Sequence, residues 1–176
     1  ASDITITTTS NLTFGANGHI LGSNGDQIKI GKNALSLNNQ GVGNIALGFE
    51  AMKANVSGCY NTAVGHQALT ANVSDAGSYN TAHGFQALYN NTTGANNVAV
   101  GYQSSRALTV GQYNVSVGRN AMLKNTTGNV NVVMGSDAMC NDTTGQSNVV
   151  IGFDTGRLAT GLSSSVLLGR AAGCIG

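Results

Sequence analysis

Proline and tryptophan do not occur in this chain, and charged residues make up only 9% of it, against roughly 25% in an average globular domain. The eight Lys and Arg nearly balance the seven Asp and Glu. With a net charge of +1 and no basic run, the chain lacks the electrostatic footprint of a nucleic-acid or anionic-membrane partner. No apolar stretch approaches the ~20 residues of a membrane span. The start, Ala1-Ser2-Asp3-Ile4, lacks the basic and apolar regions of a signal peptide. Disorder driven by charge or proline is excluded too. The three cysteines, Cys59, Cys140 and Cys174, are an odd set without a Cys-x-x-Cys pair, so neither a disulfide framework nor a zinc or redox motif is present. Gly-x-Ser-x-Gly, His-Glu-x-x-His, Walker and Rossmann fingerprints are all missing. What the chain does have is 25 Gly and 22 Asn in 176 residues.

Those residues recur with a fixed period. Aligning on the Gly after a short apolar run gives Asn44-IALGFEAM, Asn61-TAVGHQAL, Asn80-TAHGFQAL, Asn97-VAVGYQSS, Asn114-VSVGRNAM, Asn131-VVMGSDAM and Asn148-VVIGFDTG. Gln27-IKIGKNAL precedes them and Ser165-VLLGRAAG follows. Every step is 17 residues except one of 19, where Asp75-Ala76 is a two-residue insertion. A repeat of this length is too short for helix-pair units, which need 33 or more residues. It suits one turn of a β-solenoid: a strand, a corner, a second extended or single-turn piece, and a polar turn. The predicted organisation is an N-terminal β segment or cap over 1–26, running from Ile4 to Phe14, and a nine-unit repeat region over 27–176.

Numbering each unit from its leading Asn gives columns with distinct chemistry. Positions 2 and 4 (Ile45 and Leu47, Val98 and Val100, Val132 and Met134) are mostly aliphatic and share one strand face, because the strand period is 2. That face is expected to be the core. Position 3 faces the other way yet is also small or apolar: Ala46, Ala63, Ala82, Ala99, Ser116, Val133, Val150, Leu167. A strand apolar on both sides is covered on both sides, so another chain is expected on one of them. Position 5 is Gly31, Gly48, Gly65, Gly84, Gly101, Gly118, Gly135, Gly152 and Gly169, implying positive φ at a corner or close backbone approach. Positions 8 and 9 are mostly Ala followed by Leu or Met, the second inward contact of each coil. Asn at position 12 and Gly at position 15 are turn residues. Stacked coils place identical positions ~4.8 Å apart. The leading Asn44, Asn61, Asn80, Asn97, Asn114, Asn131 and Asn148 then form a hydrogen-bonded ladder, and like charges are selected against.

The units Asn61-TAVGHQAL and Asn80-TAHGFQALYNNTTGANN resemble the Gly- and Asn-rich repeats of bacteriophage tail fibres. Asn114-VSVGRNA and Ser165-VLLGRAA are also similar to the head repeats of trimeric autotransporter adhesins, whose units are usually shorter. The resemblance covers 27–176. It implies an all-β solenoid or β-roll with ~17-residue coils, assembled as a parallel homotrimeric fibre that contacts a cell surface, without a cofactor. No anchor, stalk or C-terminal chaperone is recognisable, so the chain is expected to be a fragment, a processed product or one segment of a longer fibre. Three chains are expected to pack through position 3 or through positions 8 and 9.

The candidate contact surface is position 6: Phe49, His66, Phe85, Tyr102 and Phe153, with Arg119 and Arg170 in the same column. Aromatic and Arg residues are enriched in binding hot spots, and rings suit sugar faces; the alternative is that they cover the corner after the Gly. Tyr60, Tyr79 and Tyr113 at position 17 pose the same choice. His83 stands in the aliphatic position-4 column, either as a hydrogen-bonded core histidine or as an ion site converging on a trimer axis. Thr92, Thr109, Thr126, Thr143 and Thr160 make a column that an ice binder would need, although adjacent hydroxyls point to opposite faces. The sequons at Asn11, Asn55, Asn114 and Asn125 follow from composition. Asp137 and Asp154 at position 7 sit in adjacent coils, as a retaining glycosidase pair or a solvated cluster with Arg119 and Arg170 nearby. No catalytic residue, metal or cofactor is expected. The function expected is adhesion by a virion tail fibre binding itself and a host surface glycan or protein. The alternatives are a bacterial surface adhesin head, a polysaccharide-degrading spike and an ice-binding solenoid.

Overall fold

The structure, a computed structural model, describes residues 27–174, so the expected N-terminal segment lies outside the described residues. The described chain is an all-β parallel solenoid of about eight turns. Its nine strands are β1 (Ile28–Ile30), β2 (Ile45–Leu47), β3 (Thr62–Val64), β4 (Thr81–His83), β5 (Val98–Val100), β6 (Val115–Val117), β7 (Val132–Met134), β8 (Val149–Ile151) and β9 (Val166–Leu168). They form one sheet in sequence order, every pair parallel and in register. Thr62 faces Thr81 and Val64 faces His83 across the 19-residue step, so the insertion is absorbed in the turn.

The inside and outside of the strand are the reverse of the hydrophobicity expectation. Position 3 is the core: Ala46, Ala63, Ala82, Ala99, Val133 and Val150 are fully buried. Positions 2 and 4 point outward, with Ile45 and Leu47 about 40% exposed (38% and 41%) and Ile30 50% exposed. The reason is size. The coil encloses a narrow interior that also takes Ala51, Met52, Ala68, Leu69, Ala87, Leu88, Ala121, Met122, Ala138 and Met139 from positions 8 and 9. Opposite that Leu or Met, position 3 is the small Ala46, Ala63 or Ala82, with Val at Val133, while most of the bulkier aliphatic residues go outside. Because positions 3, 8 and 9 are filled within one chain, neither can be the face between chains.

The Asn column is a ladder with a specific pattern. Each side-chain oxygen accepts the backbone N–H of the next leading residue, from Asn44 Oδ1 with Asn61 at 2.9 Å to Asn148 Oδ1 with Ser165 at 3.0 Å. Each Nδ2 donates within its own coil to the position-15 carbonyl, as in Asn97 to Gly111 and Asn114 to Gly128, both 2.8 Å. One amide thus closes its coil and ties it to the next, which explains why these fully buried polar residues are tolerated.

Position 5 combines both reasons for glycine. Gly48, Gly65 and Gly118 have φ near 140°, and a Cβ at Gly48 or Gly118 would lie 2.4 or 2.5 Å from the carbonyl oxygen of the next corner glycine. Positive φ continues at positions 7, 9 and 17, on residues such as Gln67, Leu69, Gln86, Leu88, Tyr60 and Tyr79. These carry a backbone cost that stacking offsets. Gly48 and Glu50 donate backward to Ile30 and Lys32 at 2.8 and 2.9 Å, whereas Met52 and Ala54 donate forward to Ala68 and Thr70, both at 2.9 Å. The turn is stitched to both neighbours.

Coil 97–113 departs from the pattern in a compensated way. Ser104 and Ser105 replace the usual Ala-Leu pair, and both hydroxyls bond Ser116 Oγ at 2.7 and 2.8 Å. Leu108, fully buried, replaces the turn Asn and refills the interior that Ser105 leaves. Asn91 Oδ1, one coil before Leu108, is buried with no hydrogen-bond partner.

Candidate functional site

The side chains of position 6 leave the coil just after the Gly corner and stand on the surface. Coil spacing of ~4.8 Å is close to the stacking distance of rings, so neighbouring aromatics in this column stack. Phe49 to His66 is 5.0 Å between centroids, His66 to Phe85 5.3 Å and Phe85 to Tyr102 5.2 Å, with interplanar angles of 26°, 21° and 9°. All four are exposed. The faces of His66 and Phe85 are covered by their neighbours on both sides, leaving only ring edges for solvent. The sequence places these residues in one column, but the loss of the faces follows from the stack itself. Tyr60 and Tyr79 stack in the same way at 5.4 Å.

Beside the rings runs a chain of position-7 side chains. Gln67 donates to Glu50 at 3.0 Å, Gln86 to Gln67 at 2.9 Å and Gln103 to Gln86 at 3.0 Å. The ammonium of Lys53, 2.8 Å from Glu50, and the Gln67 amide hold the Glu50 carboxyl below its ordinary range.

The ring column then breaks at Arg119 and Ser136, and a second arrangement begins. An open cavity of about 330 Å³ is lined by Arg119, Asp137, Cys140, Asn141, Phe153, Asp154 and Arg157. Arg119 bonds Asp137 at 2.5 Å, Asn120 donates to Asp137 at 2.8 Å, and Ser136 at 2.9 Å. Burial is the largest influence on Asp137 and works to raise its pKa, but the hydrogen bonds from Asn120, Ser136 and Arg119 together outweigh it and hold the carboxyl below its usual range. Such a group is a fixed acceptor, unlike the proton-donating carboxyl of a glycosidase, whose pKa is raised. Arg157 lies 3.9 Å from Asp154. Burial, followed by the charge of Asp137, pushes the Cys140 thiol up, so it is present as an apolar wall. Phe153 belongs to this cavity and is separated from the four-ring stack; the Arg170 guanidinium carbon sits 5.8 Å from its centroid.

The remaining candidates fall as follows. His83 is exposed in the outward row between Val64 and Val100, which corrects its assignment to the core. Cys140 and Cys174, two coils apart at position 10, are both free, as is Cys59. Thr92, Thr109 and Thr126 donate to the next coil's backbone at 2.9 to 3.1 Å and so are tied into the stack. Asn55, Asn114 and Asn125 are buried, which removes them as glycan acceptors. Among the described residues no group of three His, Cys, Asp or Glu could hold a metal ion. The feature that sequence reasoning missed is the cavity; its only signal was the concentration of Arg and Asp in the last four units. Compared with family models, curated proteins and solved structures, the chain matches none.

Proposed function

We propose that this chain is a structural and adhesive segment of a bacteriophage tail fibre, running in parallel with two identical chains and acting by display of a host-contact surface. The observation that carries the reading is the outward row of positions 2 and 4. Ile45, Leu47, Val98, Val100, Val115, Val117, Val132 and Met134 belong to a mostly aliphatic strip on the face of β1 to β9, interrupted at β3 and β4 by Thr62, Thr81 and His83. Nine strands extend it over about 38 Å. A strip of that length marks an interaction surface, and among the described residues its side chains stay at least partly exposed. Parallel copies laid side by side match strip to strip, and closure about one axis gives every copy the same surroundings. The number three and the phage setting come from the repeat resemblance. Three linked copies would raise apparent affinity for a surface that offers many receptors. Sedimentation velocity at micromolar concentration tests the assembly: the expected mass is about three times the 17.8 kDa of one chain. A stable monomer or dimer overturns it.

A further inference from the structure

We propose that the cavity lined by the units starting at Asn114, Asn131 and Asn148 is a saccharide subsite that holds one neutral sugar ring of a surface polysaccharide. The inference deepens the adhesive reading, and its place in host contact rests on that reading.

Three features of the cavity converge on this ligand class. The first is an available aromatic face. A pyranose presents a patch of C–H bonds that packs flat on a ring, so it needs a face and not an edge. Phe153 is 49% exposed and lines the cavity. The residue at the same position in the preceding coil is Ser136, too small to cover a ring. Arg170 occupies the other side at 5.8 Å. Among the rings of position 6, His66 and Phe85 have lost both faces to stacking.

The second feature is charge balance. Two carboxylates, Asp137 and Asp154, stand against two guanidiniums, Arg119 and Arg157, paired at 2.5 and 3.9 Å. The charges of the lining cancel, and Arg170 stands outside the lining over the Phe153 ring, so a phosphate, sulfate or carboxylate ligand gains little there. Hydroxyl groups, which both donate and accept, meet acceptors on Asp137 and Asp154 and donors on Arg119 and Arg157.

The third is preorganisation. Asp137 is held by Arg119, Asn120 and Ser136 before any ligand arrives, so little ordering is required on binding. A cavity of about 330 Å³ lies at the small end of ligand sites, which run from ~300 Å³ upward. That size suits one ring of a chain continuing across the surface.

The test is saturation-transfer NMR on the full chain with the methyl glycosides of glucose, galactose, mannose and N-acetylglucosamine, alongside glucuronic acid and a sulfated hexose. At least one neutral glycoside is expected to receive saturation at its ring C–H groups with millimolar affinity. Phe153→Ala and Phe153→Leu should each weaken it tenfold or more, and Arg157→Ala should also weaken it. Phe49→Ala, on the distant stack, should leave it unchanged. Circular dichroism and melting of each variant verify the fold, which the exposure of Phe153 makes robust. Binding only of the acidic sugars, no binding of any, or undiminished binding by both folded Phe153 variants overturns the proposal. Sedimentation of the same samples separates the readings: a trimer without sugar binding overturns this site alone, and sugar binding by a monomer overturns the assembly alone.

Discussion

The side-chain oxygen of Asn114 accepts two hydrogen bonds from Asn131, one from its backbone N–H at 3.0 Å and one from its side-chain amide at 2.9 Å. The amide of Asn114 closes its own coil on Gly128. Asn114→Ala therefore strands a buried N–H and a buried carbonyl, each worth about 1–3 kcal/mol. The expected loss is about 3 kcal/mol, seen as a lower denaturant midpoint with an unchanged slope. A loss under about 0.5 kcal/mol would mean that the ladder is decorative.

Two glycine substitutions should differ sharply. At Gly118 a Cβ meets the Gly135 carbonyl oxygen at 2.5 Å with φ at 139°, whereas at Gly161 the nearest atom is 3.6 Å away and φ is 69°. Gly118→Ala is expected to lose roughly 3 kcal/mol or more. Gly161→Ala should lose about 1 kcal/mol. Thermal unfolding of the two variants, measured side by side, gives the comparison.

Coil 97–113 makes a prediction about compensation. Leu108→Asn empties volume that Leu108 fills and should lose about 2–4 kcal/mol. Ser105→Leu alone overpacks the same space by about 1–3 kcal/mol. The double variant restores the arrangement of the other coils and gives Asn91 Oδ1 a partner, so it should be markedly more stable than the sum of the singles. Simple additivity in urea unfolding would show that the two exceptions are unrelated.

The outward row can be tested without touching the core. Val100→Lys with Val117→Lys places two like charges on adjacent strands of the exposed face. Sedimentation should then report a monomer whose far-ultraviolet dichroism is unaltered. Loss of the β signal together with assembly would mean that the solenoid cannot stand alone.

Asp137 gives a pH dependence with a defined sign. Its folded pKa is below its ordinary 3.8. The stability it contributes is present above that value and is lost as pH falls from there through the lower folded value. Midpoints of urea unfolding from about pH 6 down to about pH 2.5 should therefore fall, and Asp137→Asn should flatten part of that slope.

The period, the strand positions, the corner Gly and the Asn ladder were legible because each depends on residue identity at a fixed spacing. Inside and outside were not. Ala46 and Ile45 are both apolar, and hydrophobicity alone favours burying the larger; the narrow coil buries the smaller. Positive φ at Gln67 or Leu69 was equally hidden, because turn rules look for Gly or Asn there. The position-6 column was readable as a column. That His66 and Phe85 lose their faces while Phe153 keeps one depends on what stands a coil away, Phe85 and Tyr102 in one case and Ser136 in the other.

The two residues Asp75-Ala76 lengthen one coil, yet Thr62 and Thr81 still pair in register on either side of it. The turn that bears them is therefore uncoupled from the spacing of the rod. Sequence can be added at that edge of any coil without shifting the neighbours, since each coil touches only the ones above and below it. That makes the turn edge the part of the molecule free to diversify, a place where loops can be exchanged while the strand register of the solenoid is inherited intact.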